Sequence, residues 1–179
     1  CWLSGGTLLG FIRNKTILPW DDDCDCHTPW YNFQYIASEA FQTTLRNVGL
    51  ERTKFRGTTP YFAFATGAAL RIRRIGTTYP CCDIFFVADD GEYVSKIDSW
   101  VPNKQHLSKK EKWLRGDIYP IQYKEIDGLR LPLPNKPKEV LIQQYGAGVL
   151  ETMVCRDTWL SHCYPFRMYS KLFLSTASV

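Results

Sequence analysis

The chain has 179 residues, of which 45% are hydrophobic and 15% aromatic, so it can bury one compact core and is not a disordered segment. Its 22 Lys and Arg exceed its 18 Asp and Glu, and the net charge of +4 is spread along the chain, which argues against a dedicated nucleic-acid binder. It contains no apolar run of membrane-spanning length and no signal-peptide pattern. We expect one domain over residues 1–150 and a tail of weak pattern over 151–179.

The chain begins at Cys1 rather than at a methionine and enters a glycine-rich turn at once, which indicates a fragment of a longer protein. Its seven cysteines show no paired zinc-type spacing, and their number is typical of a secretory-pathway protein. The odd count leaves at least one thiol unpaired within the chain. The sequence does not decide whether a disulfide forms.

Hydrophobic periodicity and turn residues predict the elements of the first half. In chain order they are a short strand at Trp2 and Leu3, a helix from Thr7 to Arg13 after Gly5 and Gly6, an extended link through Ile17 and Pro19, a loop and strand from Trp20 to Cys26, one amphipathic helix from Trp30 to Val48 ended by Gly49, and one or two strands between Tyr61 and Ile75.

The second half is predicted from the same signals, with Asp-Gly pairs marking turns and a proline marking a helix start. In order they are a strand from Cys81 to Val87, a turn from Asp89 to Gly91, a brief helix from Lys109 to Trp113 with a solvated charged face, a β-hairpin within Ile118 to Leu133 turning at Asp127 and Gly128, and a helix from Pro137 to Tyr145 ended by Gly146.

Four aspartates lie between positions 21 and 25. Side chains alternate along a strand, so Asp23 and Asp25 should point the same way while Cys24 and Cys26 pack behind them. Two carboxylates on one face repel unless a cation lies between them, and Mg²⁺ or Mn²⁺ binds one or two carboxylates together with phosphate oxygens. Asp21 falls on the same alternation and is a further candidate ligand.

Another acid, Asp83, lies in an apolar run beside Cys82 and Ile84. An unpaired charge there would be costly, so the carboxylate should face a metal, a cation or a cleft. If its strand lies beside that of Asp23 and Asp25, three carboxylates converge, as metal-assisted chemistry on a phosphate requires.

A glycine turn precedes the acids. Gly5 and Gly6 allow the backbone to approach a phosphate, and Ser4 and Thr7 add hydroxyl donors beside the amides of the following helix. The cations expected near the phosphates are Arg13, Lys15 and Arg71. No chemical role is predicted for His27, His106 and His162, which show no ligand spacing.

Other known phosphate-binding and metal-binding motifs do not match the sequence. A calcium loop starting at Asp21 would need glycine where Cys26 stands and glutamate where Asn32 stands. Neither the GxxxxGK[ST] loop of ATP-binding proteins nor a dinucleotide-binding GxGxxG at its proper spacing occurs. A serine or cysteine nucleophile has no plausible histidine partner in the sequence.

These residues, from Trp2 through Gly10 and from Ile17 to Asp25, resemble the opening motif of the LicD family, which includes bacterial phosphocholine transferases and the eukaryotic fukutin and fukutin-related proteins. The run Cys82 to Phe86 resembles the family's later acid-bearing strand. The helix ending at Tyr145 and Gly146 resembles its C-terminal half. The similarity extends to about Leu150.

The resemblance implies an α/β fold of mixed α+β character, nucleotidyltransferase-like, with a central mixed sheet flanked by helices. It also implies a Mg²⁺- or Mn²⁺-dependent enzyme that moves a phospho-alcohol group, such as phosphocholine or ribitol phosphate, from a CDP-activated donor to a glycan or glycoprotein. The catalytic candidates are then Asp23, Asp25 and Asp83, with Asp21 as a fourth metal ligand and Asp25 or Asp83 as proton acceptor.

Two alternatives stay open: a nucleotidyltransferase that attaches the nucleotide itself, and a non-catalytic glycan-binding relative. Neither the transferred alcohol nor the acceptor is named by these residues. We expect no nucleic-acid partner, and membrane attachment only through an upstream anchor. A eukaryotic relative would lie in the Golgi or endoplasmic reticulum lumen, and a bacterial one in the cytoplasm.

Overall fold

The computed structural model of the chain describes residues 1–18, 21–54, 69–101, 104–126 and 128–151. The predictions for Pro19, Trp20, Asp127, the first part of the segment from Tyr61 to Ile75, and the tail from residue 152 onward fall outside these residues. Among the described helices, none is long and apolar enough to cross a membrane.

The described residues form nine strands and five α-helices. The strands are β1 (Trp2–Leu3), β2 (Asp23–Pro29), β3 (Leu50–Lys54), β4 (Ala69–Arg74), β5 (Cys81–Asp89), β6 (Tyr93–Val101), β7 (Lys104–Leu114), β8 (Gln122–Ile126) and β9 (Leu129–Leu133). The helices are α1 (Gly5–Arg13), α2 (Phe33–Ala37), α3 (Glu39–Asn47), α4 (Arg115–Ile118) and α5 (Pro137–Tyr145), with 3₁₀ turns at Trp30–Asn32 and Ala147–Leu150.

Seven strands form one mixed sheet in the order β1-β2-β5-β4-β3, with β6 pairing the last residues of β5 and β7 pairing β6. The β2–β5 pair is parallel, and the other pairs of this sheet are antiparallel. Strands β8 and β9 form a separate hairpin. A mixed sheet flanked by helices confirms the predicted α/β class.

Each face of the sheet carries its own core. Apolar side chains of α1, α5 and the β8–β9 hairpin pack on one face, and the cluster contains Trp2, Leu3, Leu8, Phe11, Val87, Val94, Trp113, Ile118, Leu133, Val140 and Leu141. Residues of α2 lie on the other face in a smaller cluster of Cys26, Ile36, Ile84, Phe86 and Ile97. Burying apolar area on both faces is what a central sheet with helices requires.

The largest correction concerns Lys109 to Trp113, predicted as a helix but found within strand β7. Glu111 and Trp113 point inward while Lys110 and Lys112 are exposed, which is the two-residue alternation of a strand. The pairing of β7 with β6 decides the conformation, because it supplies hydrogen bonds that a short window of sequence does not reveal.

Two predicted helices differ in their bounds. The long helix from Trp30 to Val48 is interrupted at Ser38, whose extended backbone ends α2 and whose hydroxyl accepts the Phe41 amide at 3.2 Å to cap α3. Helix α1 begins at Gly5, so the predicted glycine turn is the first turn of the helix.

Strand β3 was not predicted.

Other predictions are confirmed. The structure contains the strand at Trp2–Leu3, the strand that begins at Cys81, and the hairpin formed by β8 and β9. Helix α5 begins at Pro137 and ends before Gly146, whose φ of +97° is a conformation that glycine adopts at no steric cost.

Gly10 fixes how α1 lies against the segment that leads to the aspartates. A Cβ atom at Gly10 would lie 2.8 Å from the Thr16 carbonyl oxygen and 3.0 Å from the Leu18 amide nitrogen, and backbone cannot rotate away as a side chain can. We expect Gly10→Ala to lower the free energy of unfolding by about 1–3 kcal/mol. Urea unfolding measures this. The matched control is Gly116→Ala, where no atom lies within 4 Å, and equal stability of the two variants would contradict the packing.

Candidate metal centre

The parallel pairing of β2 and β5 brings the predicted acids together. Asp25 lies directly opposite Asp83, and Asp23 lies opposite Cys81. One ligand atom each from Asp23, Cys81 and Asp83 lies within 4.8 Å of the others. Asp83 is buried, with 2% of its surface exposed. The structure therefore joins acids that are far apart in the sequence on one face of the sheet.

Asp25 is held against the start of α1. Its amide donates to the Thr7 hydroxyl at 2.8 Å, and its carbonyl accepts from the Ser4 amide at 3.0 Å. Gly5 has a φ of +56°, and a Cβ atom there would collide with the Asp25 carboxylate. The glycine is required both for its backbone conformation and for the space that the carboxylate fills. The glycine turn and the acid cluster are thus one site.

The first turn of α1 offers hydrogen-bond donors beside Asp25. Ser4 is 2% exposed, and its hydroxyl has no hydrogen-bond partner among the described residues. A buried hydroxyl without a partner is costly, and the start of a helix favours negative charge. This combination suits an anion such as a phosphate.

Arg71 does not stand free beside this turn. Its guanidinium forms two hydrogen bonds with the Asp83 carboxylate, both 2.7 Å long, from the neighbouring position on β4. The bidentate geometry is the strongest form of such an ion pair. The charge of Asp83 is thereby balanced by a cation, one of the three possibilities that its sequence context allowed.

Burial and the neighbouring acids raise the pKa values of Asp21 and Asp25. Burial is the largest cause for Asp25 and raises its pKa to about 8, with further increases from Asp23, Asp83 and Asp21 that Lys96 partly offsets. Burial and Asp23 likewise raise the pKa of Asp21 to about 7. Carboxylates that resist ionisation in the protein alone are expected where a cation is needed to balance them.

A set of polar side chains from β6, β7 and α5 lies beside the acids, and the sequence analysis did not predict it. Lys96 on β6 pairs with Glu111 on β7 at 2.6 Å, and the other oxygen of Glu111 accepts from Gln144 at 2.9 Å. Tyr145 lies close enough that Asp25 and Glu111 add to the effect of burial in raising its pKa. These contacts connect strands β6 and β7 to α5 beside the acid face.

His27 also shares the face of Asp23 and Asp25, two residues further along β2. It is 1% exposed, and its Nε2 lies 3.9 Å from Glu111 Oε1. Burial, together with Lys96, lowers its pKa to about 3, so the ring is neutral. Neither ring nitrogen has a hydrogen-bond partner among the described residues. Alternation along β2 could have placed this residue, whereas ligand spacing could not.

Two predicted phosphate-binding cations lie at the far end of α1. Arg13 donates to the Asn14 side chain and to the Val149 carbonyl, and the exposed Lys15 donates to the Ile12 carbonyl. Gly5 begins the same nine-residue helix, which is about 13 Å long at 1.5 Å per residue. The structure thus brings Arg71, but neither Arg13 nor Lys15, to the acids.

Gly5→Ala tests the contact between helix and acid. We expect the variant to lose stability and to displace the Asp25 carboxylate, because the added Cβ meets it. Gly49→Ala is the matched control, since Gly49 also has a positive φ, +77°, with no atom within 4 Å. Backbone strain alone costs about 1–2 kcal/mol. Urea unfolding of both variants should show a larger loss at Gly5, and equal losses would argue against the contact.

The raised pKa of Asp25 predicts a pH-dependent stability in the absence of divalent cations. The pKa of Asp25 is about 8 in the folded state, whereas the pKa of an aspartate in the unfolded state is near 3.9. The contribution of this group to the free energy of unfolding therefore falls as pH rises between these two values. Asp25→Asn cannot ionise and should become more stable relative to wild type across that range. Unfolding in EDTA measures the difference. The exposed neighbour provides the control Asp22→Asn, and a pH-independent difference would refute the shift.

Comparison with known proteins places the chain in a family. Residues 1–136 match the family described as LicD/FKTN/FKRP, nucleotidyltransferase domain. A stretch of 49 residues is 41% identical to the lipopolysaccharide cholinephosphotransferase LicD of Haemophilus influenzae. That stretch covers 27% of this chain and 18% of the enzyme. Because the family match extends over most of the chain and includes both acid-bearing strands, the chain belongs to the LicD/FKTN/FKRP family.

Proposed function

We propose that this chain carries the catalytic site of a divalent-cation-dependent transferase that moves a phospho-alcohol group from a CDP-activated donor to a glycan. Family membership and the similarity to a cholinephosphotransferase support a transferase of phosphorus-containing groups. The observation that carries the proposal is the convergence of Asp23, Asp25 and Asp83 beside the first turn of α1.

The donor atoms fit a divalent cation. Asp23 and Asp83 offer oxygens within 4.8 Å of each other. Asp21 and Asp25 add further carboxylates, whose pKa values are raised by burial and by the neighbouring acids. Such an ion, Mg²⁺ or Mn²⁺ in our proposal, would supply charge neutralisation for a pyrophosphate. Asp21, Asp23, Asp25 and Asp83 are the residues that would hold it.

The phosphate of the donor is assigned to the start of α1. The buried Ser4 hydroxyl and the amides of Gly5 and Gly6 are the donors for its oxygens. Arg71 lies on the opposite side of the acids, where its charge is already engaged by Asp83. In phosphoryl transfer, positioning and charge stabilisation supply most of the catalysis, which suits this set of groups.

Asp25 is the proposed acceptor of the proton from the attacking hydroxyl. Asp83 is less suited, because both of its carboxylate oxygens already accept hydrogen bonds from Arg71. In the reaction the glycan oxygen forms a bond to the phosphorus that bears the alcohol, the pyrophosphate bond breaks, and CMP leaves. The compartment in which this occurs stays a prediction.

A second candidate function is nucleotidyl transfer, favoured by the description of the matching family as a nucleotidyltransferase domain. The same carboxylates and the same first helical turn would serve it. The two reactions differ in the phosphorus that is attacked, and hence in the leaving group. Release of CMP supports phospho-alcohol transfer, and release of pyrophosphate from CTP supports nucleotidyl transfer.

Activity is tested by incubating the full chain with CDP-choline, CDP-ribitol or CDP-glycerol and candidate glycans, with Mn²⁺ or Mg²⁺, and measuring CMP. We expect one donor to release CMP, EDTA to abolish the release, and added Mn²⁺ to restore it. Asp23→Asn and Asp83→Asn should lower the rate by at least about a hundredfold, since each removes charge stabilisation from the transition state.

Asp22→Asn is the matched control, because Asp22 is an exposed aspartate in the same short segment. It should retain wild-type activity, and circular dichroism should show that all variants fold. Unchanged activity in Asp23→Asn and Asp83→Asn would refute the proposed site. A folded protein that binds glycan but releases neither CMP nor pyrophosphate would instead support a non-catalytic relative.

A further inference from the structure

A half-exposed tyrosine lies at the edge of the proposed metal site. Tyr79 precedes β5 by two residues, at the end of the strand where Cys81 pairs with Asp23. Its side chain is 45% exposed, and the Arg71 guanidinium lies over its ring, with the central carbon 5.4 Å from the ring centroid. The same guanidinium binds the Asp83 carboxylate. The ring therefore lies on the acid-bearing face of the sheet, one side chain away from a proposed metal ligand.

The other end of the acid face is occupied by the chain's own side chains. Strand alternation puts Phe85 on this face, and Lys96 lies over its ring with the ammonium 4.4 Å from the ring centroid. Lys96 also pairs with Glu111, and the two side chains are only 18% and 14% exposed. Gln144 of α5 donates to Glu111 from above. A ligand that extends from the acids therefore meets packed side chains toward Lys96 and a half-exposed aromatic ring toward Tyr79.

We propose that Tyr79 is the stacking platform for the nucleobase of the CDP-activated donor. The inference rests on the proposed function and deepens it by naming a residue that binds the nucleoside. The acids and the start of α1 would hold the phosphates, and the base of a nucleotide lies one ribose beyond them. Tyr79 lies beside the acids but outside the ligand set, and aromatic side chains bind bases by stacking because every base has a π-face.

The cation over the ring favours a neutral planar group at Tyr79. A quaternary ammonium such as choline also binds aromatic side chains, through attraction to the negative charge of the ring face. At Tyr79 this attraction is already used by Arg71, which two hydrogen bonds with Asp83 hold in place. A neutral cytosine is not repelled by the guanidinium. The ring is therefore better suited to the base of the donor than to a cationic alcohol.

Calorimetry on the full chain with Mn²⁺ separates binding of the base from binding of the phosphates. The probes are CDP, inorganic pyrophosphate and ribose 5-phosphate, of which only CDP carries a base. We expect Tyr79→Ala to weaken CDP binding about tenfold or more and to leave the affinities for the other two probes unchanged. Tyr79→Phe keeps the ring and should bind CDP as tightly as wild type.

Tyr123→Ala is the matched control. Tyr123 lies in the separate β8–β9 hairpin, is 57% exposed, and has the Arg130 guanidinium 4.8 Å from its ring centroid. It therefore has a similar exposure and the same kind of cationic neighbour as Tyr79. We expect its removal to change none of the three affinities. Circular dichroism should show that every variant is folded.

Each outcome decides the inference. Selective loss of CDP affinity in Tyr79→Ala supports it, and equal CDP affinity in Tyr79→Ala and wild type overturns it. A loss shared by pyrophosphate or ribose 5-phosphate also overturns it, because Tyr79 would then act on the phosphates or the sugar. If wild type binds neither CDP nor pyrophosphate, the proposed function fails and the inference with it. CDP binding that does not depend on Tyr79 overturns the inference alone.

Discussion

The parallel pairing of β2 with β5 is the constraint on which the candidate site depends. Its register puts Asp25 opposite Asp83 and Asp23 opposite Cys81, and it sends Cys24 and Cys82 to the reverse face. A shift of one residue on either strand would exchange these sets and bury the acids in the apolar layer. The two cores on the faces of the sheet resist that shift, because each requires its own alternation.

Negative charge accumulates at this point, and the surrounding structure compensates for it unevenly. Arg71 balances Asp83 directly, and Lys96 moderates Asp25 from a greater distance while it pairs with Glu111. Asp21 and Asp25 keep raised pKa values despite these cations. This excess of negative charge favours the cation that we propose, whereas a network of fully paired charges would not.

Much of this site follows from the sequence. Alternation along β2 indicates that Asp23 and Asp25 share a face, and the apolar context of Asp83 indicates that its charge needs a partner. Lys96 and Glu111 could not be found in the same way. They reach the acids through the pairing of β6 with β7, and the basic run around Glu111 has the composition of a solvated helix when taken alone. Long-range pairing overrides such local signals.

The same distinction between local signals and long-range pairing explains which elements of the fold could be predicted from the sequence. Helix α5 and the β8–β9 hairpin are marked by proline and glycine at their ends, and local chemistry is enough to predict them. The break at Ser38 has a local signal too, since serine before an acid is a common start of a helix, but the apolar periodicity continues through it. The sheet order depends on which strands meet, and periodicity does not specify partners.

Helices α2 and α3 and strands β3 and β4 lie between Asp25 and Asp83 in the chain, so the two acids meet only after non-local strands have paired. Contacts of this kind form slowly, because the intervening chain loses entropy on closing before the contacts contribute stabilising free energy. The proposed cation, if held by both strands, would bind the folded chain and not the unfolded one. By mass action it would then stabilise the fold in addition to its proposed role in the reaction.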